Sequence, residues 1–237
     1  MAPLTAFHYA YLAATLPLLV IWIVFYALRK DIRKEMLVVS ILVGLLSVIT
    51  AHYWWTIDWW KPATITGTVV GIEDFLAGFG SGGIIAVAYE VLFRKRLYHT
   101  RTKAAHQPSA FTVLLLIAFL MSWLFWRVVL TSFWASTVAM IAAAAVLFYF
   151  RRDLFLNGVL SGVLMAAISS LSYFTIMFLS PEWIPNTYLF DTLSGHLLLG
   201  VPIEEFVFWF FAGLVFGPFY EYWQGERCRK MVQRRGR

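Results

Sequence analysis

Four carboxyl groups stand as two adjacent pairs in otherwise apolar sequence, Glu73 with Asp74 and Glu204 with Glu205. Desolvation and like-charge repulsion oppose ionising both members of such a pair, so a proton donor and an acceptor can coexist there. That is the equipment of general acid and base catalysis. Phe206, Phe208, Trp209, Phe210 and Phe211 crowd the second pair, and Phe75 follows the first. An aromatic face stabilises a desolvated cation by about 2 kcal/mol or more. Acid beside an aromatic wall suits carbocation chemistry on an apolar substrate. The run HYWWTIDWW supplies four tryptophans ahead of the first pair. Interfacial belts account for most such residues in membrane proteins. Of this run, Trp59 and Trp60 are assigned to substrate binding, together with Phe75, Phe206, Phe208 and Trp209.

Four acids also suggest a metal site or a structural role. Hard cations usually want more oxygen ligands, the His-plus-carboxylate spacing of di-iron bundles is absent, and His52 and His196 share no repeat position. No metal is expected. A purely structural reading has the acids tie helices together. Consecutive helical residues point about 100° apart, so Glu204 and Glu205 cannot both aim at one point, and one member of each pair is available as a hydrogen-bonding partner.

The elements that must position these residues follow from composition. Of 237 residues, 61% are hydrophobic, 18% aromatic and only 14% charged, outside the range of an ordinary soluble domain. A bilayer span needs roughly 20 apolar residues. Seven such runs separate the charge clusters: Phe7 to Leu28, Met36 to Trp54, Ile65 to Phe93, Phe111 to Leu130, Phe133 to Phe150, Leu154 to Leu179 and His196 to Trp223. The first lacks a preceding basic residue and a cleavage site, and is expected to be a permanent helix. All Lys and Arg except Lys61 and Arg127 fall in Arg29 to Lys34, Arg94 to Lys103, Arg151 with Arg152, and Arg227 to Arg237. These are alternate ends of the spans, which places the N-terminus outside and the C-terminus in the cytoplasm. Topology and anionic headgroups account for the net charge of +6, and no nucleic-acid motif is present. Cys228 is the single cysteine, so no intrachain disulfide can form.

The chain also repeats itself. Ile72, Glu73, Asp74 and Phe75 match Ile203, Glu204, Glu205 and Phe206, and Tyr89 and Glu90 match Tyr220 and Glu221 at the same offset. The third and seventh spans run the same way, so the two three-helix units are parallel and the fourth span restores direction between them. The fold class is all-α, a polytopic membrane protein of seven transmembrane helices in a parallel three-one-three repeat. A single transmembrane domain fills 1–237, with a first repeat over 7–93, a linking helix over 111–130, a second repeat over 133–223 and a basic cytoplasmic tail over 224–237. Parallel repeats enclose a site between the halves near the midplane. The starts of the third and seventh spans place the acids roughly 12 Å along their helices. Pro202 and Pro218 bracket the second pair and predict a kink or local unwinding there. Glu90 and Glu221 read as interfacial, with Arg94 as partner of Glu90 and no chemistry assigned.

At VPIEEFVFW, and at WWKPATITGTVVGIEDF in the other half, the chain resembles the membrane-embedded lycopene cyclase family, whose heterodimeric or fused members carry a Pro-x-Glu-Glu type motif in each three-helix half. The resemblance covers essentially the whole chain. It implies a redox-neutral cyclisation in which a terminal double bond of a linear carotenoid is protonated, the cation closes a six-membered ring, and a base removes a proton. By the motif match Glu73, Asp74, Glu204 and Glu205 carry the acid and base work, with the roles left open. No cofactor is implied, and no dinucleotide-binding GxGxxG follows a strand. The implied partners are a lipophilic polyene or prenyl substrate, membrane lipids and other enzymes of carotenoid synthesis. In a prokaryote the membrane would be the plasma membrane. The first half departs from the motif, with Gly71 in place of proline and Asp74 in place of the second glutamate.

Three other classes share features with this chain. A cyclase acting on another prenyl substrate shares the cation chemistry. A small-solute carrier with parallel three-helix repeats would resemble gating machines with prolines in the first two helices of each half, where only Pro17 occurs. A retinal photoreceptor is excluded, because the seventh span has no lysine for a Schiff base.

Overall fold

The computed structural model describes residues 4–99 and 107–230, with side chains over 7–94 and 107–225. Seven helices dominate: α1 Leu4–Leu28, α2 Arg33–Thr50, α3 Ile72–Leu92, α4 Ala110–Trp126, α5 Ser132–Phe150, α6 Phe155–Leu179 and α7 Ile203–Phe216. Six helical stretches are long and apolar enough to cross a bilayer: Phe7–Leu28, Lys30–Asp58, Ile72–Leu92, Ser132–Phe150, Arg152–Leu179 and Ile203–Gln224. α4 is equally apolar but has 17 residues, about 25 Å of helix, at the lower limit for a span. Large apolar side chains such as Val20, Phe119, Val163 and Phe178 face outward. That pattern is what lipid, not water, requires of a bundle surface. The described part of the chain is an integral membrane fold.

Two of the expected helices start later than the apolar runs do. The third begins at Ile72 rather than Ile65, and the seventh at Ile203 rather than His196. In the first case Thr64 donates to the carbonyl of Thr68 at 2.6 Å and Thr68 to that of Val70 at 2.7 Å, local bonds that compete with helix formation. In the second, β2 (Leu197–Leu198) pairs with β3 (Val201–Pro202) around Leu199 and Gly200, both at positive φ, the backbone of a tight two-residue hairpin. Both acidic pairs therefore occupy the first turn of their helices, where unsatisfied backbone N–H groups favour carboxylates. The kink or unwinding expected at the second acidic pair is absent: Pro202 stands just before the first turn, the helix runs unbroken through Glu204 and Glu205, and the interruption falls at the far end, where α7 stops at Phe216 and a short helix resumes over Phe219–Gln224.

α1 and α2 pack on α3, and α5 and α6 pack on α7. Glycines set the closest crossings: a Cβ on Gly78 would lie 2.8 Å from the Val43 carbonyl on α2, and one on Gly213 would lie 2.6 Å from the Gly162 Cα on α6. The two triplets join where α1 packs on α6 and where α3 packs on α6 and α7. α4 packs on α5. At the opposite end from the acids, β1 (Lys95–His99) pairs antiparallel with β4 (Glu226–Lys230), Leu97 facing Cys228. Those two residues are separated by the same offset as Glu73 and Glu204, so the ladder is centred on a pair of repeat-equivalent positions.

At the end of α3 and in the Phe219–Gln224 helix, the partners of the acids differ from the expectation. Glu90 and Glu221 are fully buried within the bundle, and Arg94 is exposed instead of pairing with Glu90. Asn157 donates to the Glu221 carboxylate at 2.5 Å and to that of Glu90 at 3.3 Å. Arg29, bonded to Asp31, donates to the carbonyl of Glu90, and Arg151, bonded to Asp153, donates to that of Glu221. Burying such groups in a bundle is tolerated only with partners of this kind. The basic residues 231–237 and 100–106 lie outside the described residues, as do the side chains of the remaining tail, Cys228 included.

Candidate active site

Each acidic pair is divided by the helix that carries it. Asp74 caps α3, its Oδ2 accepting from the Gly71 amide at 2.8 Å, while its Oδ1 accepts from the Tyr11 hydroxyl on α1 at 2.8 Å. Ser47 on α2 donates to the carbonyl of Asp74 at 2.6 Å, fixing the level of that turn. Glu73 turns the other way, and its Oε1 accepts from the amide of Ile65 at 2.6 Å. The second repeat does the same. Glu204 accepts from the amide of Ser194 at 2.6 Å, and Glu205 accepts from two phenols, Tyr173 on α6 and Tyr188 in the loop before α7, the latter at 3.0 Å. Burial and the adjacent Glu205 carboxylate hold Tyr188 well above the usual tyrosine range, so its hydroxyl keeps its proton and donates. Trp209 donates to the Tyr173 hydroxyl at 3.1 Å and so holds that phenol in place.

The divergence within each pair is the 100° step of consecutive helical residues. It decides which acids face the cavity. Asp74 and Glu205 both line one cavity of about 230 Å³, and Glu73 and Glu204 do not. The other walls come from α2, α3, α4, α5 and α7, with Tyr11 from α1, Tyr173 from α6 and the tryptophan run between α2 and α3, and are almost wholly apolar. The cavity runs from Asp74 to Ile85 on α3 and from Glu205 to Phe216 on α7, about 16 Å at 1.5 Å per residue. Its carboxylates stand at one end.

The aromatic roof is larger than the sequence suggested. Trp54 and Trp55 line the cavity beside Trp59 and Trp60, and Trp54 and Trp59 are buried, so this run is not an interfacial belt. A π-helical turn over Ala51–Trp55 extends α2, a local widening that often marks functional sites. Trp55 and Trp59 each meet Phe208 edge to face, at 5.3 and 5.4 Å. Phe208 and Trp209 reach the cavity, whereas Phe75 and Phe206 do not. Phe75 lies against Gly44 and Phe79, and Phe206 packs in the outer aromatic cluster around Trp183. The loops of the two repeats lock together over this end: the Lys61 amide donates to Thr187, the Leu189 amide to Trp59, and the Ser132 amide to Asp58. Tyr11, Tyr173 and Tyr188 were not singled out from sequence, since each sits far along the chain from the acid it touches. Among the described residues no group of three or more His, Cys, Asp or Glu side chains is placed to hold a metal ion.

The fold and the site define a class: a helical membrane protein in which two three-helix units each deliver a carboxyl group to a shared apolar, aromatic cavity. The chain belongs to the lycopene cyclase family. That family's model matches it twice, over residues 5–92 and 131–223, which take in α1 to α3 and α5 to α7 and leave out α4. Searches among curated proteins and among solved structures gave no significant match.

Proposed function

We propose that this protein cyclises the end groups of lycopene, or a closely similar linear polyene, inside the bilayer, with Asp74 and Glu205 as its proton-transferring groups. The observation that carries the reading is that these two carboxyls, one from each repeat, face the same aromatic-roofed apolar cavity. One carboxyl gives its proton to a terminal double bond. The resulting cation is attacked by a neighbouring double bond, closing a six-membered ring and moving the positive charge into it. The other carboxylate takes a proton from a carbon beside the charge and restores a double bond. Atoms balance, no electrons are exchanged, and the product is an isomer of the substrate.

Burial makes a carboxylic acid a weaker donor, so protonating an alkene requires that the cation be stabilised in the transition state. Trp55, Trp59, Phe208 and Trp209 line the cavity for that purpose. Glu73 and Glu204, turned to loop amides, brace the loops that lead into α3 and α7. In this reading α4 is the fourth span and brings the total to seven, the architecture is three-one-three with parallel halves, the N-terminus is outside and the C-terminus cytoplasmic. The basic inner ends at Arg29 to Lys34 and Arg151 with Arg152 support that orientation.

The test is expression in a lycopene-accumulating bacterium, with chromatography and mass spectrometry of the pigments. A new cyclic pigment of unchanged mass is expected. Unaltered lycopene in membranes that contain the folded protein would refute lycopene as substrate, and a product of altered mass would refute isomerisation.

A further inference from the structure

Repeat symmetry would give the two halves two equivalent seams, α1 against α6 and α5 against α2. Only the first is closed: α1 packs on α6. At the second, α5 reaches the first repeat through Ala51–Trp55, and α4 stands beside α5 with no comparable seam to α2. The cavity extends into this gap. Leu46, Ile49 and Thr50 line it from α2, and Leu114, Ile117 and Ala118 from α4. Two of these residues belong to the outer surface as well, since Ile49 is 47% exposed and Ala118 is exposed. The gap opens at the level of the carboxyls, because Ser47, half a turn from Ile49, is bonded to the backbone of Asp74. Above it, Trp54 and Trp55 pack with Met121 and Ile117 of α4 and form a lintel.

We infer that the window between α2 and α4 is a lateral portal through which a hydrocarbon chain dissolved in the bilayer delivers one end group to Asp74 and Glu205. This rests on the cyclase reading above and adds its access route. The occupant follows from the rim. Its side chains are aliphatic apart from the Thr50 hydroxyl, which is already bonded to the Leu46 carbonyl at 2.8 Å, so nothing at the rim recompenses a polar solute for lost water. A hydrocarbon leaving lipid loses no such contacts. α4 lies outside both family matches, yet it supplies one jamb of the portal. Ala118, the small residue facing the opening, sets its width.

The portal is tested with Ala118→Cys and Ile49→Cys, each in a Cys228→Ser background, and with Val163→Cys, which faces outward on α6. Membranes are treated with benzyl methanethiosulfonate, which attaches a ring through a reducible disulfide, and labelling is verified by mass. Two quantities are read: conversion of lycopene, and carotenoid retained by the protein after gel filtration in mild detergent. Labelling at Ala118 or Ile49 is expected to lower both about ten-fold or more, with recovery on reduction, and labelling at Val163 to change neither. Full labelling at Ala118 and Ile49 without loss, or equal loss at Val163, would overturn the portal while leaving the cyclase reading intact. If unlabelled protein neither converts nor retains carotenoid, the cyclase reading falls and the portal with it. Each unlabelled cysteine variant reports its own folding through its activity.

Discussion

Asp74 and Glu205 occupy equivalent positions but are held by different groups. Asp74 has one phenol and one backbone amide; Glu205 has two phenols. A backbone amide only donates, whereas a phenol donates or accepts, so Glu205 keeps hydrogen bonds in either protonation state and the Asp74 Oδ2 serves best as an acceptor. Glu73 and Glu204 each accept a hydrogen bond from a backbone amide on Oε1, a contact that a glutamine carbonyl can also make. Glu205→Gln and Asp74→Asn should therefore each lower cyclisation by about 100-fold or more, with the protein still in the membrane. Glu73→Gln and Glu204→Gln should retain at least about a tenth of wild-type turnover. Conversion of lycopene per unit of membrane protein separates these outcomes, and equal inactivation of all four variants would return Glu73 and Glu204 to the reaction.

At the level of elements, the site depends on how closely helices cross. Gly213 touches Gly162 backbone to backbone, and Gly162 also lies against the Phe210 carbonyl, so α7 is set by this contact at a depth that aims Glu205 at Tyr173. Gly213→Val has no flexible neighbour to displace. Overpacking of this kind typically costs about 1 to 3 kcal/mol. A lower midpoint of thermal unfolding in detergent is expected, along with loss of turnover even where protein remains folded. The first repeat makes the same use of Gly78 against α2. The apolar runs located these helices but overshot their beginnings at Ile65 and His196, because hydropathy does not distinguish helix from an apolar loop whose hydroxyls and glycines satisfy its backbone. Moving the helix starts to Ile72 and Ile203 changes the chemistry, since the acids become first-turn residues that can reach both loop amides and cavity.

At the scale of the whole molecule, the two repeats contribute to one cavity. Both acid-bearing helices converge on a single cavity, so a substrate with two reactive ends must present them one after the other. A time course with limiting protein should show a singly cyclised pigment rising before any doubly cyclised one. Simultaneous appearance of the doubly cyclised product without the intermediate would contradict the single-site reading. The break in symmetry comes from α4, which fills part of one seam and leaves the other part open.

Sequence alone determined the membrane setting, the seven apolar runs, the two in-register acidic pairs and the family resemblance, because hydropathy, charge clusters and repeat offset are local or directly countable. Of the six aromatics it nominated, Trp59, Trp60, Phe208 and Trp209 line the cavity. Only the tertiary structure decided which member of each pair faces the cavity. It also brought in Tyr11, Tyr173 and Tyr188 from distant segments, turned Phe75 and Phe206 away, and buried Glu90 and Glu221 against Asn157. These depend on helix rotation and on contacts between elements far apart in the chain. A one-residue difference in direction, the step from Glu73 to Asp74 or from Glu204 to Glu205, is set by how each helix packs on its neighbours.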